Sequence, residues 1–478
     1  MKELLFLELR SNLFSGRFAG ACLLMVLAFL ASLGMMYHEY GNLERNYVDS
    51  LSLKANELFF DNFWYWEHED GRTDDSNTIT WPMAKVKKPE PLLFLSMGTT
   101  RITSQSTEFI NKFPIIETTT NAEQEANLIK ILFPAPDLLL VVKVLVSLVA
   151  LLFGYSIICG ERERGTLKLV LVSGTSRSST FIGKHLGGLV SIWLAFSVAF
   201  LVYLLALVLF TPVEFGGEIP IRIGLISLTG LLFIAVFYSL GVAISSFSRI
   251  SASSLILALF SWLFFIFILP GTAPLVAQQF VQIESKDKLA RMKLEKAQAM
   301  ERAYAEAHPE DTDSGSTAGY GRVHNAIRQQ IADEMEKIDK EFRRKKDVQI
   351  ELTSNLSRIS PVGSVTFLFS SLSKTGLEDA RRFRQDLQEI KDGIYSAFMA
   401  AALKPEVIES FRSTSFDIHP RARALLMGLF NIAEKYMFTS PNIGETLESC
   451  WLDFALLLFP VVILFLLGFI RFLSYDPR

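Results

Sequence analysis

The stretch LGGLVSIWLAFSVAFLVYLLALVLF, from Leu186 to Phe210, contains no charged side chain. A helix of about 20 mostly apolar residues is long enough to cross the hydrocarbon core of a bilayer. This stretch therefore predicts a membrane-spanning helix. The composition of the whole chain agrees, because 50% of its 478 residues are hydrophobic, only 20% are charged, and the mean hydropathy is +0.31. A single soluble globule is excluded on these grounds.

Five further segments share this length and apolar character. Together they predict an α-helical polytopic membrane protein with six transmembrane helices, at residues 18–37, 137–159, 185–211, 222–247, 251–270 and 451–471. The Pro270-Gly271 pair is expected to end the fifth helix. An even number of spans places both termini on the same side of the membrane.

Basic residues determine the expected orientation. With the N-terminus in the cytoplasm, eleven Lys and Arg residues fall in the short inside segments, whereas Arg222 is alone in the short outside loop. Because Lys and Arg accumulate on the cytoplasmic side, we expect both termini to be cytoplasmic. Residues 1–17, with four leucines on one helical face, predict a cytoplasmic interfacial helix.

This topology leaves a large region, residues 38–136, outside after the first span. Apolar and polar residues alternate around KKPEPLLFLSMG, Lys87 to Gly98, and a helix-like stretch follows from Ala122 to Leu132. The pattern predicts a small α+β extracytoplasmic domain.

A second large outside region, residues 271–448, lies between the fifth and sixth spans and is predicted to be mainly helical. Two charged, helix-permissive stretches, 284–307 and 323–352, flank the linker His308 to Gly321. Apolar residues recur there with helical spacing, which favours an antiparallel hairpin over two loosely packed surface helices. The next apolar stretch, PVGSVTFLFSSLS at 361–373, is too short to span and is expected to pack at the membrane surface.

Several other functions lack the residues that they need. Net charge is only −3, so no nucleic-acid partner is expected. A phosphate-binding loop is not predicted, because Gly183-Lys184 is followed by His185 and the first glycine is missing. His-Glu pairs at 38–39 and 68–69 lack the second histidine of a zinc protease. We therefore expect neither ATP binding nor a metal site in this chain.

Two small groups of residues near the outer membrane face are interpreted as structural. Met35, Met36 and His38 could bind copper by their chemistry, but a single thioether cluster favours packing or lipid contact. Lys143 and Asp453 are the charged residues closest to spans, and both are expected to reach the interface by snorkelling.

The inside loop between the second and third spans is GERERGTLKLVLVSGTSRSSTFIGK, Gly160 to Lys184. Its charges alternate from Glu161 to Arg164, Gly165 breaks the helix, and Thr166 can cap a short amphipathic helix. The predicted apolar side of that helix consists of Leu167, Leu169, Val170 and Leu171. Composition alone leaves two interpretations open, a helix that docks into another protein and an ordinary positive-inside loop.

The order E-x-E-x-G-T-L in this loop, followed by Ser-Arg and then Gly-Lys, resembles the permeases of ABC-2 type transporters. In that family the loop forms a coupling helix that sits on the ATPase subunit. The resemblance extends to the N-terminal helix, the six spans and the large outside loop. KKPEPLLFLSMG and ISPVGSVTFLFSSLSKTGLEDARRF (Ile359 to Phe383) are similar to segments of a subgroup that includes permeases of multicopper-enzyme maturation and gliding-motility systems.

The resemblance implies a non-catalytic permease subunit in the bacterial cytoplasmic (inner) membrane, coupled to export by ATP hydrolysis in a separate chain. ATP and Mg would be bound by that ATPase subunit, and this chain would hold no cofactor. Its contact residues would be Glu161, Arg162, Glu163, Gly165, Thr166 and Leu167. A second permease chain, identical or different, and a periplasmic partner at residues 284–352 are the other expected partners. Two alternatives stay open, a mechanotransmitting subunit that moves periplasmic partners without transport and a passive membrane scaffold or receptor.

Overall fold

The structure of this chain is a computed structural model, which describes residues 2–56, 83–101, 106–112, 115–120, 135–172, 175–211, 213, 215–309, 317–402 and 440–474. Its helices are α1 (Lys2–Leu13), α2 (Gly16–Asn56), α3 (Leu138–Glu163), α4 (Thr166–Val172), α5 (Arg177–Phe210), α6 (Ile219–Phe247), α7 (Ser251–Phe280), α8 (Lys286–Ala307), α9 (Thr317–Ser357), α10 (Pro361–Leu372), α11 (Leu377–Ala402) and α12 (Ile443–Leu473). Its strands are β1 (Met83–Val86), β2 (Ser106–Lys112) and β3 (Ile115–Thr120).

Six helices within the described ranges are long and apolar enough to cross a membrane, namely α2, α3, α5, α6, α7 and α12. This confirms the predicted class of polytopic helical membrane protein. Helix α2 has 41 residues and is therefore about 60 Å long, roughly twice the thickness of a bilayer core. It continues well beyond residue 37, so the start of the predicted first outside region belongs to the same helix.

Helix α6 lies at the centre of the bundle and is the most buried of the six spans. It packs on α3 through glycines. A Cβ atom on Gly154 of α3 would lie 2.6 Å from the carbonyl oxygen of Tyr238, and one on Gly241 of α6 would lie 2.7 Å from that of Leu151. Small residues at such crossings let backbones approach closely, which is how helices associate where lipid removes the hydrophobic driving force.

The fifth span, α7, passes through the expected breaker. The prediction that Pro270-Gly271 ends this helix is wrong, because the helix continues to Phe280. A π-helical turn at Phe264–Ile268 ends two residues before the proline. Pro270 has no N–H to donate back into this turn, and the hydroxyl of Ser360 donates to the carbonyl oxygen of Phe265 at 3.0 Å. The Ser360 side chain thus supplies a hydrogen bond to a backbone carbonyl group near the proline, where the helix lacks a donor.

The region after the first span, which is predicted to lie outside, contains a three-stranded antiparallel sheet in the order β1-β2-β3. Met83 pairs with Phe109, and Lys112 pairs with Ile115. The helix expected from Ala122 to Leu132 lies outside the described residues, so the α+β architecture of this region stays a prediction.

The region between the fifth and sixth spans, also predicted to lie outside, contains the predicted charged hairpin, formed by α8 and α9. Lys293 of α8 pairs with Asp339 of α9 at 2.5 Å. Nearer the membrane, Gln349 donates to the carbonyl oxygen of Val281 at 2.8 Å. From Val281 to Lys293 the residue number rises, whereas the number of the partner on α9 falls from Gln349 to Asp339, so the two helices are antiparallel. Ile327 is buried, as its place on the apolar face predicts.

Helix α10 is buried among the spans, contrary to its predicted place at the membrane surface. It packs on α6 and α12, and Val365, Leu368 and Leu372 are fully enclosed. The apolar side chains of α10 therefore contact protein on several sides.

Two outside segments, residues 91–101 and 361–376, meet over the outer end of the bundle and are called the outer closure below. The backbone N–H of Thr99 donates to the carbonyl oxygen of Thr375 at 2.8 Å, and the Thr375 hydroxyl donates to that of Ser96 at 3.0 Å. Gly98 has a φ of +47°, and a Cβ there would lie 2.2 Å from the Thr375 carbonyl oxygen. Glycine is suited to this contact because it adopts a positive φ without strain and has no Cβ atom to clash.

Arg222 holds the outer closure to the ends of two spans and is completely buried. Its guanidinium donates to the carbonyl oxygens of Pro441, at 2.8 Å, and Leu372, at 3.3 Å, and to the Glu218 carboxylate at 3.1 Å. Glu218 also accepts the backbone N–H of Ile443 at 3.1 Å. That N–H and the guanidinium lower the pKa of the Glu218 carboxyl.

One interpretation of residues near the outer face changes, and the other does not. Asp453 does not snorkel, since it is 1% exposed and pairs with Arg358 at 2.8 Å. Met36 is buried in the bundle, whereas Met35 and His38 are exposed, so these three side chains do not converge on one point.

Candidate functional site

The loop between α3 and α5 begins where α3 is fixed against the central helix. A turn at residues 155–158 interrupts α3, and the hydroxyl oxygen of Ser245 on α6 accepts the N–H groups of Ile158 and Cys159, both at 3.0 Å. At the other end of the loop, the Ser176 hydroxyl oxygen accepts the N–H of Ser179 and caps α5. The loop is therefore anchored on spans at both ends.

Lys184 joins three elements at the base of this loop. Its side chain is only 6% exposed, and its ammonium group pairs with the Glu161 carboxylate at 2.6 Å. The same ammonium pairs with Glu8 of α1. A buried lysine is tolerated when carboxylates compensate its charge. Through this ion triad, α1, the end of α3 and the start of α5 are held together.

Arg162 and Glu163, which follow Glu161, attach the loop to the connection between α6 and α7. The Glu163 carboxylate accepts the backbone N–H of Ser251 at 3.0 Å and its hydroxyl at 2.7 Å, at the first residue of α7. Arg162 donates to the carbonyl oxygen of Ser248 at 2.9 Å. A carboxylate beside the free N–H groups of a helix N-terminus is favourable, so these contacts stabilise the start of the fifth span.

Gly165 separates α3 from the short helix α4 and has a φ of +73°, a conformation that favours glycine. The Thr166 hydroxyl donates to the carbonyl oxygen of Glu161 at 3.3 Å, so it bonds to the preceding turn instead of capping α4 as predicted. The prediction that α4 has one apolar side is also wrong. Leu167 is fully buried, whereas Leu169 is 72% exposed and Val172 is 84% exposed.

The predicted contact residues thus have different surroundings. Glu161, Arg162 and Glu163 bond to other elements of this chain, Leu167 is buried, and Gly165 and Thr166 are exposed. The outward face of α4 also carries Lys168, Leu169 and Val172. Sequence reasoning did not identify Glu8 or Lys184 as part of this site, because their contacts join residues that are far apart along the chain.

A comparison with protein families covers nearly the whole chain. The family model described as "ABC-2 family transporter protein" matches residues 4–476. The chain belongs to the ABC-2 transporter family. With its six apolar helices it is a multi-pass membrane permease subunit, and permeases of the ABC-2 family are not themselves catalytic.

One relative of this ABC-2 permease is the "Probable ABC transporter permease protein NosY" of Pseudomonas aeruginosa. The two are 34% identical over 122 residues, which are 26% of this chain and 44% of that protein. The match therefore spans less than half of the relative's length. Together with the family match it favours a permease over a passive scaffold.

Proposed function

We propose that this permease is the membrane subunit of an ATP-driven exporter in the bacterial cytoplasmic membrane, with both termini in the cytoplasm. ATP and Mg are bound and used by a separate ATPase subunit. The family assignment supports this proposal, and so does the excess of Lys and Arg in the segments on the side of the loop. A second permease chain completes the enclosure of a path, and the exposed hairpin α8–α9 contacts a periplasmic partner.

The ATPase subunit binds the outward face of α4. The observation that carries this step is the exposure of Leu169 and Val172 on a short helix that is fixed by the buried Leu167. Exposed apolar side chains at an accessible loop are suited to a protein interface. In this proposal Gly165 and Thr166 lie at the edge of the contact.

Glu161, Arg162 and Glu163 then act inside the permease, where they connect α4 to the spans. Their bonds reach Lys184 on α5, Ser248 after α6 and the start of α7. A displacement of α4 by the ATPase subunit is consequently applied to several spans together. ATP-driven motion would in this way bias the bundle between two arrangements.

The test replaces one exposed side chain on α4. Leu169→Asp puts a charge into the proposed interface, and we expect about tenfold less ATPase subunit bound to the tagged permease, because an interface anchor contributes on the order of 1–2 kcal/mol or more. The measurement is quantitative co-purification from membranes, together with the ATP turnover of the purified complex.

Leu294→Asp is the matched control, since Leu294 is an equally apolar exposed residue, on the hairpin. It should leave ATPase recovery unchanged. Equal recovery with Leu169→Asp and with the unaltered permease would overturn the proposed contact. Failure of any ATPase subunit to co-purify with the unaltered permease would overturn the proposed function.

A further inference from the structure

The ion pair between Arg358 and Asp453 has no part in the site described above. Asp453 lies on the sixth span, α12, and is 1% exposed. Its two oxygens accept from Arg358, at 2.8 Å and 3.4 Å. Burying a carboxylate is costly, and an apolar pair in the same place is often at least as stable, so a buried ion pair is weak evidence for stability. It does fix the relative position of the two elements that carry it.

Arg358 lies at the root of the hairpin, in the short connection between α9 and α10. Two more bonds fix this root to the fifth span: Ser360 donates to Phe265 at 3.0 Å, and Gln349 donates to Val281 at 2.8 Å. Helix α9 ends at Ser357, and α10 begins at Pro361. This connection is too short to let the hairpin move independently of the spans that hold its root.

The opposite end of α12 touches the exit of the cytoplasmic loop. Arg177, the first residue of α5, donates to the carbonyl oxygen of Leu473 at 3.0 Å. Nearby, the Phe181 ring lies 5.5 Å from the Phe472 ring and 5.6 Å from the Phe469 ring. These contacts join the first turns of α5 to the last turns of α12.

Helix α12 therefore contacts both sides of the molecule. Asp453 and Leu473 are separated by about 30 Å of helix, which matches the thickness of a bilayer core. Much of α12 is uncovered by the rest of the chain. Pro460 lies inside α12 and removes one backbone hydrogen bond, but the helix is continuous from Ile443 to Leu473. A shift at its inner end is therefore carried through one helix to its outer end.

We propose that α12 links the cytoplasmic loop to the hairpin, with Arg358 and Asp453 as positioning residues that make the hairpin follow this span. The proposal rests on the proposed function, because the movement starts with an ATPase subunit on α4. It implies that the nucleotide state inside the cell sets the position of the hairpin outside. A periplasmic partner bound there would be moved in each cycle of ATP hydrolysis.

The test measures hairpin position directly in the permease–ATPase complex in lipid nanodiscs. Spin labels are placed on Ala303→Cys, exposed on α8, and Gly216→Cys, where a side chain meets nothing within 4 Å. The background replaces the three native cysteines by Ala. Pulsed electron paramagnetic resonance compares the nucleotide-free complex with the complex bound to a non-hydrolysable ATP analogue.

We expect a nucleotide-dependent change of this distance, and its loss in Asp453→Asn, which removes the charge but keeps a similar shape. Asp453→Glu restores the charge and should restore the change. The matched control is Arg291→Gln on the exposed part of α8, which should keep it. Co-purification of the ATPase subunit shows for each variant that the permease is folded.

Two results would overturn the inference while leaving the proposed function intact. One is ATPase association without any distance change in the unaltered complex. The other is the same distance change in Asp453→Asn as in the unaltered complex. Failure of the ATPase subunit to associate with the unaltered permease would instead overturn the proposed function.

Discussion

Single buried charges hold together the end of this permease that carries the loop between α3 and α5. Lys184 is enclosed, and both of its carboxylate partners come from other parts of the chain, Glu8 on α1 and Glu161 at the end of α3. One oxygen of Glu161 is buried without a partner among the described residues. Its charge therefore depends on the single ammonium group that Lys184 supplies.

Replacing this ammonium group should destabilise the protein strongly. Lys184→Met keeps the length of the side chain but leaves two carboxylates facing an uncharged group, and breaking a buried ion pair in this way costs about 3–5 kcal/mol. The measurement is thermal unfolding in detergent. The control is Lys168→Met on the exposed face of α4, which should have almost no effect.

Adding Glu161→Gln to Lys184→Met should recover part of the loss, since the unpaired buried charge is then removed. A thermal midpoint of Lys184→Met equal to that of the unaltered permease would contradict the role of the triad.

At the level of elements, close helix crossings and local breaks position the spans. Helices α3 and α6 meet at Gly154 and Gly241, where each glycine faces backbone atoms of the other helix. Backbone cannot rotate away as a side chain can, so even one methyl group forces the helices apart. The π-helical turn in α7 acts differently, because it lets this span continue past a proline.

This crossing predicts an unequal response to the same substitution at two glycines. Gly154→Ala should lower the thermal midpoint clearly, since the added Cβ would lie 2.6 Å from a carbonyl oxygen. Gly224→Ala lies on α6 with nothing within 4 Å, and it should be neutral or stabilising by up to about 1 kcal/mol. Both are measured by thermal unfolding in the same detergent. Equal midpoints for the two variants would show that the crossing is not tight.

The whole molecule is fixed by different chemistry at its two ends. At one end, charged side chains tie the loop between α3 and α5 to α1, α5 and α7. At the outer end, the outer closure is held mainly by backbone carbonyls and hydroxyl groups, with Arg222 as its buried cation. The hairpin lies beyond this closure and is rooted on α7 and α12. The end that carries the loop between α3 and α5 therefore presents a small surface, and the end that carries the hairpin presents a large one.

The outer closure can be tested by cross-linking two residues that are far apart in sequence. The hydroxyl oxygens of Ser96 and Ser370 are 3.3 Å apart. In a background without native cysteines, Ser96→Cys with Ser370→Cys should form a disulfide on mild oxidation and raise the thermal midpoint. Mass spectrometry identifies the linked peptides. Each single variant is the control, and a pair of cysteines that stays reduced would contradict the contact between the two segments.

Local patterns predicted a large part of this architecture. The apolar runs fixed the number of spans, because only a length of uncharged helix is needed to cross a bilayer. Helical spacing of apolar residues predicted the hairpin, in which Ile327 is buried. The motif E-x-E-x-G-T-L carried the family resemblance that the match over residues 4–476 confirmed.

The sequence by itself determined the membrane class, the six spans and the place of the loop between the second and third spans, since each depends on neighbouring residues. Only the tertiary structure decided which charges are buried and with what partner. Asp453 and Lys184 resemble ordinary interface charges until Arg358 and Glu8 are placed beside them. The physical reason is that a buried charge is stabilised by groups brought close in space, and those groups lie 95 and 176 residues away along the chain.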